Sequence, residues 1–387
     1  MKRFYGLLLA LPAAFFVTQA SAADKNFVGS EQCKTCHANE YQTWKSSYHA
    51  KMVRKKDDGI LKAVVEKWAN DGANAGPVKS NFDGKPRKLE DVVYVVGSYW
   101  KQRFLVKDDA SGNHYFLDKQ FNRISGKWEG YGNKNDWETN CGTCHTTGYR
   151  ITSYDAAKPQ EQKVKYSEMN VGCESCHGPG SLHVASRKKN DIYSFAGKTV
   201  EQRTLVCGYC HIRADNEKFR TTRGTASEHL PHPQIGKSFE AGQDWRTWYP
   251  KEAVIPGVHP EDKIDAAYEG ELKGLMKVDD VAKAGGFFDA AKHHQQYQEF
   301  LQSSHYKKNV MSCNNCHSSH ALKTAAVVDA KQTCTRCHDA SFTVEKYMPG
   351  TGGTVQKVTV RTHTFNKNQT RSTAGTVATG QPEYFKK

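Results

Sequence analysis

The chain has 387 residues, 37% of them hydrophobic, and a mean hydropathy of −0.74; that polarity makes an all-side-chain core hard to build, so a length of two or three modules needs another source of buried apolar surface. Lys and Arg outnumber Asp and Glu by 55 to 41, a formal charge of +14. They are scattered instead of gathered on one motif, which argues against a nucleic-acid surface.

Residues 1–22 read as a cleaved signal peptide. Lys2 and Arg3 lead an apolar stretch from Tyr5 to Val17, and Ala20-Ser21-Ala22 supplies the small-x-small cleavage pattern. The rival, an uncleaved anchor, needs roughly 20 apolar residues and finds fewer. The mature protein is expected to be periplasmic or secreted, with no integral membrane span.

The next segment starts at the expected N-cap Ser30, carries Cys33-Lys34-Thr35-Cys36-His37, and continues in helical style through Trp44 and Tyr48 to His49. The Cys-x-x-Cys-His pattern recurs at Cys141, Cys144 and His145; Cys173, Cys176 and His177; Cys207, Cys210 and His211; Cys313, Cys316 and His317; and Cys334, Cys337 and His338, which uses all twelve cysteines. Thiols three residues apart lie one helical turn apart and can add to the two vinyl groups of one porphyrin. The next residue, histidine, then binds the iron from the proximal side. A disulfide framework or zinc knuckles would not require a histidine at the same place six times. Six covalently attached haems c are therefore expected, and their apolar faces answer the composition problem. Without Lys2 and Arg3 the charge is +12, from 53 basic against 41 acidic residues, and the haem propionates bring roughly −12.

Between the first two motifs, residues 92–106 and 114–124 are rich in β-branched and aromatic residues around a turn signal at Ala110-Ser111-Gly112-Asn113. A small β-hairpin insert packed on haems is expected within about 77–128, the alternative being a docking surface. Motifs two to four follow at spacings of 32 and 34 residues, and after a gap of 106 the last two are 21 apart. This suggests a four-haem module at 23–215, a linking region at 216–285, a two-haem module at 286–348 and an extended tail at 349–387, in which 355–360 alternates like an edge strand.

Eleven other histidines can close the sixth position of the irons. His49 lies twelve residues beyond His37, about 18 Å along a helix, and so should serve a haem other than that of its own motif. His183 follows the turn Gly178-Pro179-Gly180, and His320, three residues past His317, must also serve a neighbour. In the helical pattern from 290 to 308, His294 and His305 are the expected ligands, with His293 the alternative to His294. The last position is assigned to His363, with His232, His229, His259 and His114 as alternatives.

CKTCHANEYQTWKSSYHAKM, NCGTCHTTGY, VGCESCHGPGSLH and CGYCH, in this order over about 28–215, resemble the tetrahaem cytochrome c-554 family, whose relatives include the hydroxylamine oxidoreductase type of multihaem protein. The resemblance implies closely stacked haems in a mainly α fold with little regular secondary structure and a haem-filled core. It also implies distal ligation at His49, His183 and His293 or His294. In that family the second haem lacks a distal ligand; the spare histidines leave both arrangements open for the haem of His145. The chain departs from the four-haem pattern by two additional haems and by the insert.

The expected function is electron transfer through bis-histidine haems between other redox proteins, since two imidazoles keep an iron closed to substrate. Two alternatives are an oxidoreductase acting on a small nitrogen or sulfur species at one open haem, and a homo-oligomer assembled as an extracellular haem filament.

Overall fold

The computed structural model describes residues 25–59, 68, 76–77, 79–97, 101–123, 125–212, 215–220, 226–228, 235–248, 296–320, 334–353 and 359–365. The expected signal peptide, most of the linking region, the end of the tail, and His229, His232, His259, His293 and His294 lie outside the described residues.

The segment carrying the first motif is three short helices, α1 (Ser30–Cys33), α2 (Ala38–Lys45) and α3 (Tyr48–Lys51), instead of one. Gly29, at φ 85°, holds the cap position expected of Ser30. Ser30 is instead buried as the first helical residue. Its hydroxyl donates to Glu168 at 2.8 Å and accepts the Cys173 N–H at 3.0 Å, partners that local spacing cannot reveal.

Strand β1 (Val53–Lys55) and helix α4 (Lys56–Gly59) lead to the insert. This is larger than a hairpin. Strands β2 (Val92–Val96), β3 (Lys101–Lys107), β4 (His114–Phe116), β5 (Lys119–Asn122) and β6 (Lys127–Gly130) join β1 in a six-stranded antiparallel sheet of order β1-β2-β3-β5-β6, with β4 also paired to β3. The run 92–106, read as one strand, is two, because the chain folds back at Gly97. That residue sits at φ 90°, where a Cβ would lie 2.2 Å from the Lys101 carbonyl oxygen. The turn at 110–113 is where it was expected. Asp108 accepts from the Ser111 N–H at 2.9 Å and hydroxyl at 2.6 Å, and Lys107 stands opposite His114 in the β3–β4 register.

Strand alternation makes both faces of this sheet apolar. Val92, Val95, Phe104, Val106, Leu117 and Phe121 form one cluster, and Val53, Val96, Leu105, Phe116 and Trp137 form the other. The insert thus has a side-chain core of its own, and the fold is mixed, with small sheets among short helices, instead of mainly α.

Helices α5 (Trp137–Asn140), capped by Asp136, and α6 (Gly142–His145) carry the second motif. Two small ribbons follow, β7 (Thr146–Thr147) with β10 (Glu168–Met169) and β8 (Arg150–Ser153) with β9 (Lys163–Lys165). Helices α7 (Cys173–His177) and α8 (Ser181–Ser186) hold the third motif and His183. Helix α9 (Val200–Gly208) enters the fourth, started by a capping box in which Thr199 and Gln202 exchange hydrogen bonds at 3.1 and 3.0 Å. A ribbon of β11 (Asp215–Arg220) and β12 (Ala226–Glu228) comes next.

The helical pattern at 290–308 resolves into α10 (Gln296–Gln302) and α11 (Ser304–Lys307), divided where Ser303 caps α11 by accepting the Tyr306 N–H at 3.2 Å. Tyr297 and Leu301 pack with Leu205, Tyr209, Ile212, Phe239 and Trp245 in a second core, and Trp245 Nε1 donates to the Leu205 carbonyl at 2.8 Å. After α12 (Val344–Tyr347), the tail pairs β13 (Gly350–Gly353) with β14 (Thr359–Arg361) as a separate ribbon, where an added sheet-edge strand was expected.

Candidate haem sites

Each motif folds as one helical turn, which sets the two sulfurs and the imidazole on neighbouring sides. His37, His145, His211, His317 and His338 donate their backbone N–H to the carbonyl of the first cysteine of their own motif, at 2.9, 3.2, 3.0, 2.9 and 2.9 Å, while His177 ends α7. No disulfide joins any two of the twelve cysteines. Among the described residues, no group of three or more His, Cys, Asp or Glu side chains is placed to hold a metal ion.

The histidines instead come together in twos. His37 faces His183 and His49 faces His211 with ring centres 6.2 Å apart, and His177 faces His320, His305 faces His338, and His317 faces His363 at 6.1 Å. Two imidazoles on opposite sides of one metal, each bonded at about 2.0–2.1 Å, put their ring centres roughly 6.2 Å apart. All five pairs match that spacing, and in each a motif histidine meets one from outside the motifs. His49, His183, His305, His320 and His363 are thus five of the six expected distal residues, and each faces the ring of a motif other than its sequence neighbour. The sixth, His294, and its alternative His293 lie outside the described residues. His114, an alternative to His363, is engaged elsewhere: its Nδ1 lies 2.6 Å from Glu138.

The imidazoles are held by their outer nitrogens. Nδ1 of His177 donates to the Tyr193 carbonyl at 2.9 Å, that of His183 to Lys188 at 2.9 Å, that of His363 to Arg361 at 3.1 Å, and that of His211 to the Gln296 side-chain oxygen at 3.2 Å. These bonds fix the tautomer and leave Nε2 free to bond a metal between the paired rings. Burial, followed by the neighbouring His211, His145 and His317, pushes His49 down to about 4. It is kept neutral, as a ligand must be.

Thiols of different motifs also meet. Cys33 lies beside Cys173, Cys210 beside Cys144, and Cys207 beside Cys313. Cys176 lies within electrostatic reach of Cys207 and Cys210, and Cys316 within reach of Cys334. The motifs therefore adjoin in the order first, third, fourth, fifth and sixth, with the second beside the fourth. Burial pushes the Cys141 thiol up to about 12.

One residue that sequence reasoning missed is Glu174, inside the third motif. It is buried, and its carboxylate accepts the N–H groups of Val28 at 2.9 Å, Gly29 at 2.7 Å and Gly180 at 2.7 Å. It ties the start of the chain to the turn before His183. The signal available was a carboxylate between two haem cysteines, followed by Gly-Pro-Gly.

The family model described as cytochrome c554 and c-prime matches residues 32–74 and 116–178. The cytochrome c-554 of Nitrosomonas europaea is 24% identical over 287 residues, covering 70% of this chain and 92% of that protein. Among solved structures, the outer cell wall cytochrome OcwA superposes with a TM-score of 0.60 at 18% identity, over 88% of this chain and 79% of its own. The undecahaem cytochrome from the S-layer of Carboxydothermus ferrireducens reaches 0.42 at 18% identity, over 84% of this chain and 44% of that one.

Proposed function

Taking as premise that the chain is a multihaem cytochrome of the cytochrome c-554 family, we propose that it is an exported electron carrier with six covalent haems. The observation that carries the reading is the set of five facing imidazole pairs at 6.1–6.2 Å. A haem c at each motif supplies an iron that alternates between ferric and ferrous. The chain's own residues do the rest.

The paired histidines would hold an iron from both sides, closing it to small substrates and favouring a low-spin, low-potential centre. Carbonyl acceptors on Nδ1 of His177, His183 and His363 add electron density to the ligands and favour the oxidised form further. Each distal histidine comes from a segment away from the motif it faces, so the haems brace one another. The adjoining cysteines support a run of neighbouring haem sites from the first motif through the third, fourth and fifth to the sixth, with the second beside the fourth. Partners are other redox proteins. Export rests on the leader-like residues 1–22, and no helix among the described residues is long and apolar enough to cross a membrane.

Potentiometric titration of the exported holoprotein, followed optically with and without carbon monoxide and nitrite, tests this reading. Reversible one-electron couples and spectra indifferent to both ligands at the paired haems are expected. Catalytic turnover of nitrite, or ligand-induced band shifts in most of the haem, would replace the carrier by an oxidoreductase.

A further inference from the structure

The fourth motif is the junction of the molecule. Its Cys207 lies beside Cys313 and its Cys210 beside Cys144, and Cys176 is within electrostatic reach of both, so it adjoins the second, third and fifth motifs. Helix α10 reaches this motif because Gly208, between its two cysteines, carries no side chain: a Cβ there would strike the Tyr297 ring. Tyr297 is buried with Leu205, Tyr209 and Ile212, the Trp245 ring stands 5.3 Å from its own, and its N–H donates to the His211 carbonyl at 2.9 Å. These contacts set the preceding residue, Gln296, beside the His211 ring, where its side-chain oxygen accepts from Nδ1 at 3.2 Å. The outer nitrogens of His177, His183 and His363 are held by backbone carbonyls, which a side-chain replacement does not remove. His211 is held by an amide that a single substitution can delete or charge.

We propose that Gln296 is a positioning residue that sets the reduction potential of the fourth-motif haem, and with it the division of electrons among the three neighbours at the junction. The proposal deepens the electron-transfer reading above and rests on it. An acceptor on Nδ1 makes the opposite nitrogen, Nε2, a stronger donor, and a stronger donor favours ferric iron over ferrous. Reduction takes one electron from a ferrous neighbour, which becomes ferric, and the proton on Nδ1 stays where it is. Gln296 therefore keeps the junction less reducible than it would be with no acceptor, so that an electron arriving there passes on. The amide carries no charge, and its effect lies between that of an absent acceptor and that of a carboxylate.

The test is potentiometry at pH 8 of the exported holoprotein and of its Gln296→Leu and Gln296→Glu variants, followed by electron paramagnetic resonance. The fourth-motif haem is the low-spin signal that disappears in His49→Ala. At the applied potential that half-reduces this haem in the wild type, Gln296→Leu should raise its ferrous-to-ferric ratio about tenfold, an upward shift of about 59 mV for one electron. Gln296→Glu, ionised at this pH, should lower the ratio by a similar factor. The first and sixth haems, away from the junction, keep their potentials in both. An unmoved ratio, or shifts of the same sign in the two variants, overturns the proposal, because a residue that only packs against the imidazole does not answer to charge. If one variant fails to hold six haems, the other decides by its direction. Failure of both overturns the proposal, since it makes Gln296 a requirement of assembly. Reversible couples with an unmoved ratio defeat this inference alone, whereas the absence of reversible couples defeats the carrier reading itself.

Discussion

Glu174 gathers three backbone donors on one carboxylate and Asp108 the backbone and hydroxyl donors of Ser111, at opposite depths of the molecule. Glu174 is buried, and removing it strands the N–H groups of Val28, Gly29 and Gly180. Glu174→Ala should cost about 2–4 kcal/mol, read by guanidinium unfolding of the holoprotein, with the haem content of the folded fraction unchanged. Asp108 sits on the surface turn. Hydrogen bonds from Ser111 hold its carboxyl below the ordinary value of 3.8, so its unfolded-state pKa is the higher of the two. Its contribution is present above pH 3.8 and is lost as pH falls through the lower folded value. Asp108→Asn should therefore lower stability by about 1 kcal/mol near neutrality, and thermal melts of the two proteins should converge in strong acid. At this scale the six Cys-x-x-Cys-His motifs stand out in the sequence as candidate haem sites, because thioether chemistry would dictate residue type and spacing together. Glu174 and Ser30 do not, because their partners lie about 140 positions away.

Gly97 marks where reading by element went wrong. Residues 92–106 carry an unbroken β-like composition, yet β2 ends just before Gly97, at positive φ, and β3 begins at Lys101. Gly97→Val places a side chain where 2.2 Å separates a Cβ from the Lys101 carbonyl oxygen, and it should destabilise the sheet by several kcal/mol, measured as a lowered denaturation midpoint. Phe104, fully buried between Val95 and Trp128, should cost about 3–5 kcal/mol on replacement by Ala. Both variants should retain six haems, because this sheet packs on its own side chains. The strand pattern and the turn at 110–113 were readable because alternation and turn chemistry are local. The partnership of β1 with the insert was not, since pairing between distant strands leaves no local mark. A different limit hid the breaks at Ser47 and Ser303 within segments of helical composition, where a serine side chain caps the next helix.

Across the whole molecule, the expected haem count and the selection of His49, His183, His305, His320 and His363 as candidate distal residues came from sequence, and the structure adds which motif histidine each one faces. That pairing could not be read from spacing, because it is set by how α3, α8, α11 and the end of β14 return to distant motifs. Replacing any one of these five by Ala should turn one low-spin haem high-spin and open it to carbon monoxide while the other haems keep their spectra. The pairs also differ in ring geometry. His37/His183, His177/His320 and His317/His363 lie within 28°, 14° and 26° of parallel, whereas His49/His211 and His305/His338 cross at 77° and 83°. Parallel imidazole planes split the iron d orbitals that accept ligand π density, and crossed planes leave them nearly degenerate, so the two arrangements give different ferric spectra. The most direct measurement is therefore electron paramagnetic resonance of the fully oxidised exported protein, with haem quantified by pyridine haemochrome. Six haems per chain are predicted, with three rhombic low-spin signals and two strongly anisotropic ones among the paired sites. Fewer than six haems, or high-spin signals from most of them, would contradict the account.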